Sequence, residues 1–166
     1  MAAIEPIDHL DWLSCRTAQD HAVRLCLASA SVIPSDKKLQ ELAGEQIVFD
    51  LIGLAFHGRR VMERRNQKSA LFSENPLWPV SKVAAPIGSN LCEVFGAIVH
   101  ATELKVQWET PDLSPNPYQG RQPKFAGSVS VKSDEKDMQF PIGLIVASFF
   151  GNVLNKSDSQ SKKEAE

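Results

Sequence analysis

Apolar and polar residues alternate along this chain in two rhythms, first near 3.6 and later 2. The longest run with the first rhythm is residues 39–68, LQELAGEQIVFDLIGLAFHGRRVMERRNQK. Its middle, Ile47 to Phe56, is apolar on nearly every side, which predicts a central helix enclosed by the rest of the domain. One polar line interrupts it. At ~100° per residue, Gln46, Asp50, Gly53, His57, Arg60 and Arg64 fall along a narrow stripe. Upstream, residues 8–31 place Cys15, Ala18, Ala22, Leu25, Cys26 and Ser29 on one face. Small residues there predict a first helix that packs closely on another, with Asp8 as its cap. Pro34 ends it, and Ser35 or Asp36 starts the central helix.

After residue 67, Pro76, Pro79 and Pro86 exclude a regular helix and predict an ordered loop anchored by Phe72, Leu77 and Trp78. Ser89 or Asn90 then caps a third helix over 91–101, with Leu91, Val94, Phe95, Ile98 and Val99 on its apolar face. Next the rhythm changes. Glu103 to Glu109 alternates, predicting a strand with Leu104, Val106 and Trp108 inward. A proline-rich loop follows, then a strand at 125–132, a charged turn at 133–136 and a short strand at 137–141. Helical spacing returns from Ile142 to Leu154. The prediction is one α+β domain over 1–154: a helical bundle, a small antiparallel β-meander and a closing helix. Residues 155–166 are polar without an apolar anchor and read as a disordered tail.

Composition narrows the function classes. The 166 residues are 43% hydrophobic with a formal net charge of −2. That balance argues against a whole-surface nucleic-acid binder and leaves room for a local basic patch. Cys15, Cys26 and Cys92 form neither a zinc pattern nor a disulfide framework, so a reducing, cytoplasmic setting is expected. No stretch predicts a membrane span, and the N-terminus does not read as a signal peptide. The sequence also lacks a Gly-rich phosphate loop, HExxH and a nucleophile elbow, so no metal or cofactor is expected.

Two clusters hold candidate chemistry. Asp50 sits inside an apolar run, and a buried carboxylate is costly unless paired. It is therefore expected to be buried in an internal polar network with His57 and Arg60, bonded to a side chain of another helix, with Arg16 or Arg24 as candidates. Asp50 and His57 are ~10 Å apart along the axis, so they do not touch directly. The second cluster is basic: Arg59, Arg60, Arg64, Arg65 and Lys68 follow one another at the end of the central helix. Cations there favour the helix dipole. If they converge with other basic groups they also suit phosphate. Trp78, Trp108 and Tyr118 are possible stacking surfaces for bases.

Phe95-Gly-Ala-Ile-Val-His-Ala101 running into a strand, together with His57-Gly-Arg-Arg-Val-Met-Glu63, resembles a loosely defined bacterial group similar to HEPN domains. The resemblance covers most of residues 8–150. It implies a helical bundle that dimerises, and a link to RNA or nucleotides, since many HEPN domains are metal-independent ribonucleases. Their motif is an Arg and, after four to six intervening residues, a His. His100 matches the His, while the preceding Arg-Asn pair falls on Val94 and Phe95. A second match, Arg16 to His21, lies in the first helix.

Three readings follow. The first is an RNA- or nucleotide-binding domain and degenerate ribonuclease, binding phosphate through Arg59, Arg60, Arg64 and Arg65. The second is a non-catalytic module that forms a homodimer or recruits a protein partner, with Gly96 and Ala97 of the third helix as the expected dimer contact. The third is an active ribonuclease toxin using His100 or His57 as catalytic residues. They are separated by one spatial question: whether His57, Arg60, Arg64 and His100 meet in one cleft.

Overall fold

The structure is a computed structural model that describes residues 6–71, 90–112, 122–133 and 137–155. Two long helices come first, α1 (Pro6–Ala30) and α2 (Lys37–Arg64). The first described helical residue is Pro6, so Asp8 lies within the opening turn rather than in front of it. A proline is tolerated there because the first-turn amide has no helical partner. Asp36 caps α2 by accepting from the Leu39 amide at 2.9 Å.

α2 stops at Arg64, short of the expected residue 68. Asn66 turns left-handed at φ 53°. The Gln67 amide donates to the Met62 carbonyl and the Asn66 amide to that of Glu63. These two bonds satisfy the last carbonyls and end the helix, leaving Lys68 beyond it.

α3 (Leu91–Val99) is capped by Asn90, which accepts from the Cys92 amide at 2.8 Å. Three antiparallel strands follow, β1 (Glu103–Glu109), β2 (Phe125–Lys132) and β3 (Asp137–Pro141), in the order β1-β2-β3. Leu104 pairs with Val131 and Val106 with Val129. The register slips between Gln107 and Trp108, and Trp108 remains half-buried against the core.

α4 (Ile142–Phe149) then closes the chain and widens into a π-turn over Phe150–Leu154. The sequence spacing predicted one uninterrupted helix. Within the π-turn Val153 and Leu154 are both buried.

The architecture is therefore α+β. α1 and α2 pack side by side, α3 lies on α2, and α4 and β2 pack on α1. The core joins Leu25, Leu51, Leu54, Phe95, Ile98, Val129, Ile145 and Phe149. Gly58 admits α3, because a Cβ there would sit 2.7 Å from the Phe95 ring. The chain between α1 and α2 is tied to the sheet side, with Ile33 and Lys124 exchanging backbone bonds of 2.8 and 2.9 Å. Cys15, Cys26 and Cys92 are free thiols packed against the core. Among the described residues, no helix is long and apolar enough to cross a membrane. The expected loop anchors Phe72, Leu77 and Trp78, as well as Tyr118 and the tail from 156, lie outside the described residues.

α2 is not enclosed as its apolar run predicted. Phe49, Ile52 and Phe56 are 62%, 44% and 54% exposed. Only one side of the helix is covered, through Ile47, Leu51, Leu54, Ala55 and Gly58. The apolar residues on its other side form surface.

Candidate functional site

The polar stripe of α2 meets α1 along one edge of the helix pair. Asp50 is 2% exposed and collects three donors. His21 Nδ1 lies 2.7 Å and Arg24 Nε 2.8 Å from Oδ1, and Gln46 Nε2 donates to Oδ2 at 3.0 Å. His21 and Arg24 are one turn apart on α1, so a single face delivers both. Arg24 Nη2 also comes within 2.8 Å of His21 Nδ1. That nitrogen cannot donate to Asp50 and accept from Arg24 at once. The carboxylate has the stronger claim, so Nδ1–H faces Asp50 and the two donors are held together by the anion they share.

Burial works to raise the Asp50 carboxyl. The bonds from Gln46, His21 and Arg24, with the Arg24 charge, outweigh it and hold the group below its ordinary value.

Gly53 makes this arrangement possible. A Cβ at this position would overlap three atoms of the His21 ring. The ring rests on the bare backbone, edge-on to Phe49 at 5.7 Å and stacked on His57 at 6.3 Å. Phe56 meets His57 edge-on at 5.3 Å. Among the described residues, the buried His57 Nδ1 has no hydrogen-bond partner. Burial first, then His21 and Arg60, push its imidazole below the ordinary value.

The other candidates diverge from this edge. His57 and Arg59 point ~200° apart around α2, the rotation of two residues. Arg59 runs toward α3, where its Nη1 would lie 3.5 Å from a Cβ on Gly96, and it pairs with Glu63 at 3.0 Å. Ala97 is packed against the chain's own core. Arg65 reaches Asp11 at 3.8 Å and Cys15 Sγ at 3.6 Å. Arg64 is exposed. His100 is the exposed C-cap of α3, where its amide donates to the Gly96 carbonyl. Arg16 pairs with Asp20 at 3.5 Å and takes no part in the His21 cluster. A surface cavity of about 450 Å³ opens beside Asp11, Trp12, Arg16 and Arg65, and neither His57 nor His100 lines it. Among the described residues, no three His, Cys, Asp or Glu side chains converge to hold a metal ion.

Sequence reasoning named Arg24 as a candidate partner of Asp50 and missed His21 in that role. The available signal was the position of His21 beside Ala18, Ala22 and Leu25, on the face that α1 buries. It also missed the exposed apolar face. Leu10, Leu13 and Leu27 of α1 and Leu42, Phe49, Ile52 and Phe56 of α2 are all exposed. What this edge offers chemically is a neutralised carboxylate and two imidazoles set among exposed apolar side chains. Comparisons of the chain with protein-family models, curated proteins and solved structures find no match.

Proposed function

We propose that this protein is a non-catalytic, HEPN-like assembly module that joins a second copy of itself through the outer face of α1 and α2. The observation that carries this reading is the apolar surface just described. Phe49, Phe56 and Leu27 are each more than half exposed, at 62%, 54% and 63%. Phe49, Ile52 and Phe56 fall within one arc of ~60° on α2, and a soluble monomer rarely exposes a large apolar patch. Phe49 and Phe56 are already partly covered, so taking the rest of each ring out of water would contribute about 1–2 kcal/mol.

The size suits a second copy. α2 has 28 residues. A helix of that length spans ~42 Å, and a face two helices wide offers roughly 800 Å², the share of one partner in a standard interface. The HEPN-like resemblance, with its tendency to dimerise, points the same way. The nucleic-acid reading needs Arg59, Arg60, Arg64 and Arg65 to act together. Arg59 and Arg65 already pair with Glu63 and Asp11, which weighs toward assembly.

Sedimentation velocity tests the reading. Wild type is expected to run as a dimer at low micromolar concentration, and Phe49→Glu with Phe56→Glu as a folded monomer. A wild-type monomer at high micromolar concentration overturns it.

A further inference from the structure

About its centre, the exposed face of α2 is nearly symmetric in shape and complementary in charge. Phe49 and Phe56 stand equidistant from the junction of Ile52 and Gly53, and so do Glu45 and Arg60. At ~100° per residue these positions, with Ile52, stay within an arc of ~80°. Glu45 is exposed and Arg60 half-buried. Among the described residues, neither forms an ion pair within the chain, although Arg24, Arg59 and Arg65 all do.

From this pattern we infer that two copies pair through antiparallel α2 helices about a two-fold axis at Ile52–Gly53, with Glu45 of each copy against Arg60 of the other. This rests on the dimer reading above and adds its geometry. In a two-fold antiparallel helix pair, positions equidistant from the axis face one another. Phe49 then meets Phe56 of the second copy, and Ile52 packs on its own mate at the axis. Both charges lacking an internal ion pair find the opposite charge. A parallel pairing would set Glu45 against Glu45 and Arg60 against Arg60, and like charges across an interface are unfavourable. An unrelated protein partner would impose no such symmetry on one helix. The His21 ring lies over Gly53, so the axis is padded by an imidazole and by Ile52 rather than left as a bare groove.

Charge reversal tests the register. Glu45→Arg and Arg60→Glu should each weaken the dimer about tenfold, since two pairs of surface strength are lost per dimer. The double variant should restore wild-type affinity. Glu45 is solvent-facing, so Glu45→Arg stands as a test even if Arg60→Glu fails to fold. Independently, Ile52→Cys should form a disulfide-linked dimer under mild oxidation, while Leu42→Cys, far from the axis, should not. A dimer indifferent to both reversals, or one in which Ile52→Cys does not cross-link, overturns the register and leaves the dimer standing. A wild-type monomer removes both.

Discussion

The imidazoles of His21 and His57, delivered by different helices, lie nearly parallel with centroids 6.3 Å apart and planes within 16°. One acid serves the pair unequally. Asp50 accepts from His21 at 2.7 Å, while the buried His57 Nδ1 has no partner among the described residues.

His57 should make the fold sensitive to mild acidification. Its imidazole is held below the ordinary value of 6.5, by burial first and then by His21 and Arg60. The unfolded chain thus takes up the proton before the folded one. The stability from this group is complete above about pH 6.5 and is lost as pH falls through that value toward the lower folded one. Urea midpoints should drop across this window in wild type and stay flatter in His57→Phe. Equal slopes in the two proteins would refute the assignment.

Asp50 acts in a lower window. Its carboxyl is held below 3.8, so its contribution is present above that value and is lost as pH falls through the lower folded value. Asp50→Ala leaves His21, Arg24 and Gln46 without their acceptor, and should cost about 2–3 kcal/mol. The Arg24 side chain is 48% exposed and can turn to water, which keeps the cost toward the lower figure. Asp50→Leu should be better tolerated when His21 and Arg24 are also made apolar. Chemical denaturation measures both, and an Asp50→Ala protein as stable as wild type would sink the network.

Two glycines of α2 should behave in opposite ways. Gly53→Ala drives a methyl into the His21 ring, an overpacking loss of about 1–3 kcal/mol, against the ~1 kcal/mol that alanine gains in a helix. Adding His21→Ala should remove the clash. Among the described residues, a Cβ at Gly44 would meet only Trp108, at 3.9 Å, so Gly44→Ala should stabilise by about 0.5–1 kcal/mol. Thermal unfolding distinguishes them, and a stabilising Gly53→Ala would contradict the packing.

Ribonuclease activity should be weak or undetectable. An imidazole alone can move a proton, but it cannot also neutralise charge building on a pentavalent phosphorus. Loss of one such stabiliser typically costs on the order of 100-fold to 1000-fold in rate. His100 has Val94 and Phe95 where the HEPN motif places Arg and Asn. Metal-free incubation with mixed RNA should give the same slow background for wild type and His100→Ala. Vigorous cleavage lost in His100→Ala would restore the enzyme reading. Any RNA retained through Arg60 and Arg64 should be released by salt.

Local physics made much of this protein legible in its sequence. Helical spacing located the four helices, the switch to period 2 located the meander, and Asp36 and Asn90 cap where short polar side chains were expected to. Asp50 announced a buried partner because no lone carboxylate is stable in an apolar run. These features depend on neighbours a few positions away.

The tertiary structure decided the rest. Leu51, Leu54 and Ala55 are buried while Phe49, Ile52 and Phe56 are exposed, and periodicity treats both sets as core, because it registers apolar side chains and not what covers them. His21 reaches Asp50 across 29 positions, a meeting fixed only when α1 packs on α2 over Gly53. Arg59 and His57 are close neighbours in sequence, yet they turn to opposite sides of α2, one toward α3 and the other toward α1. A helix fixes the angle between its residues, but only the packing of its neighbours fixes what each direction faces.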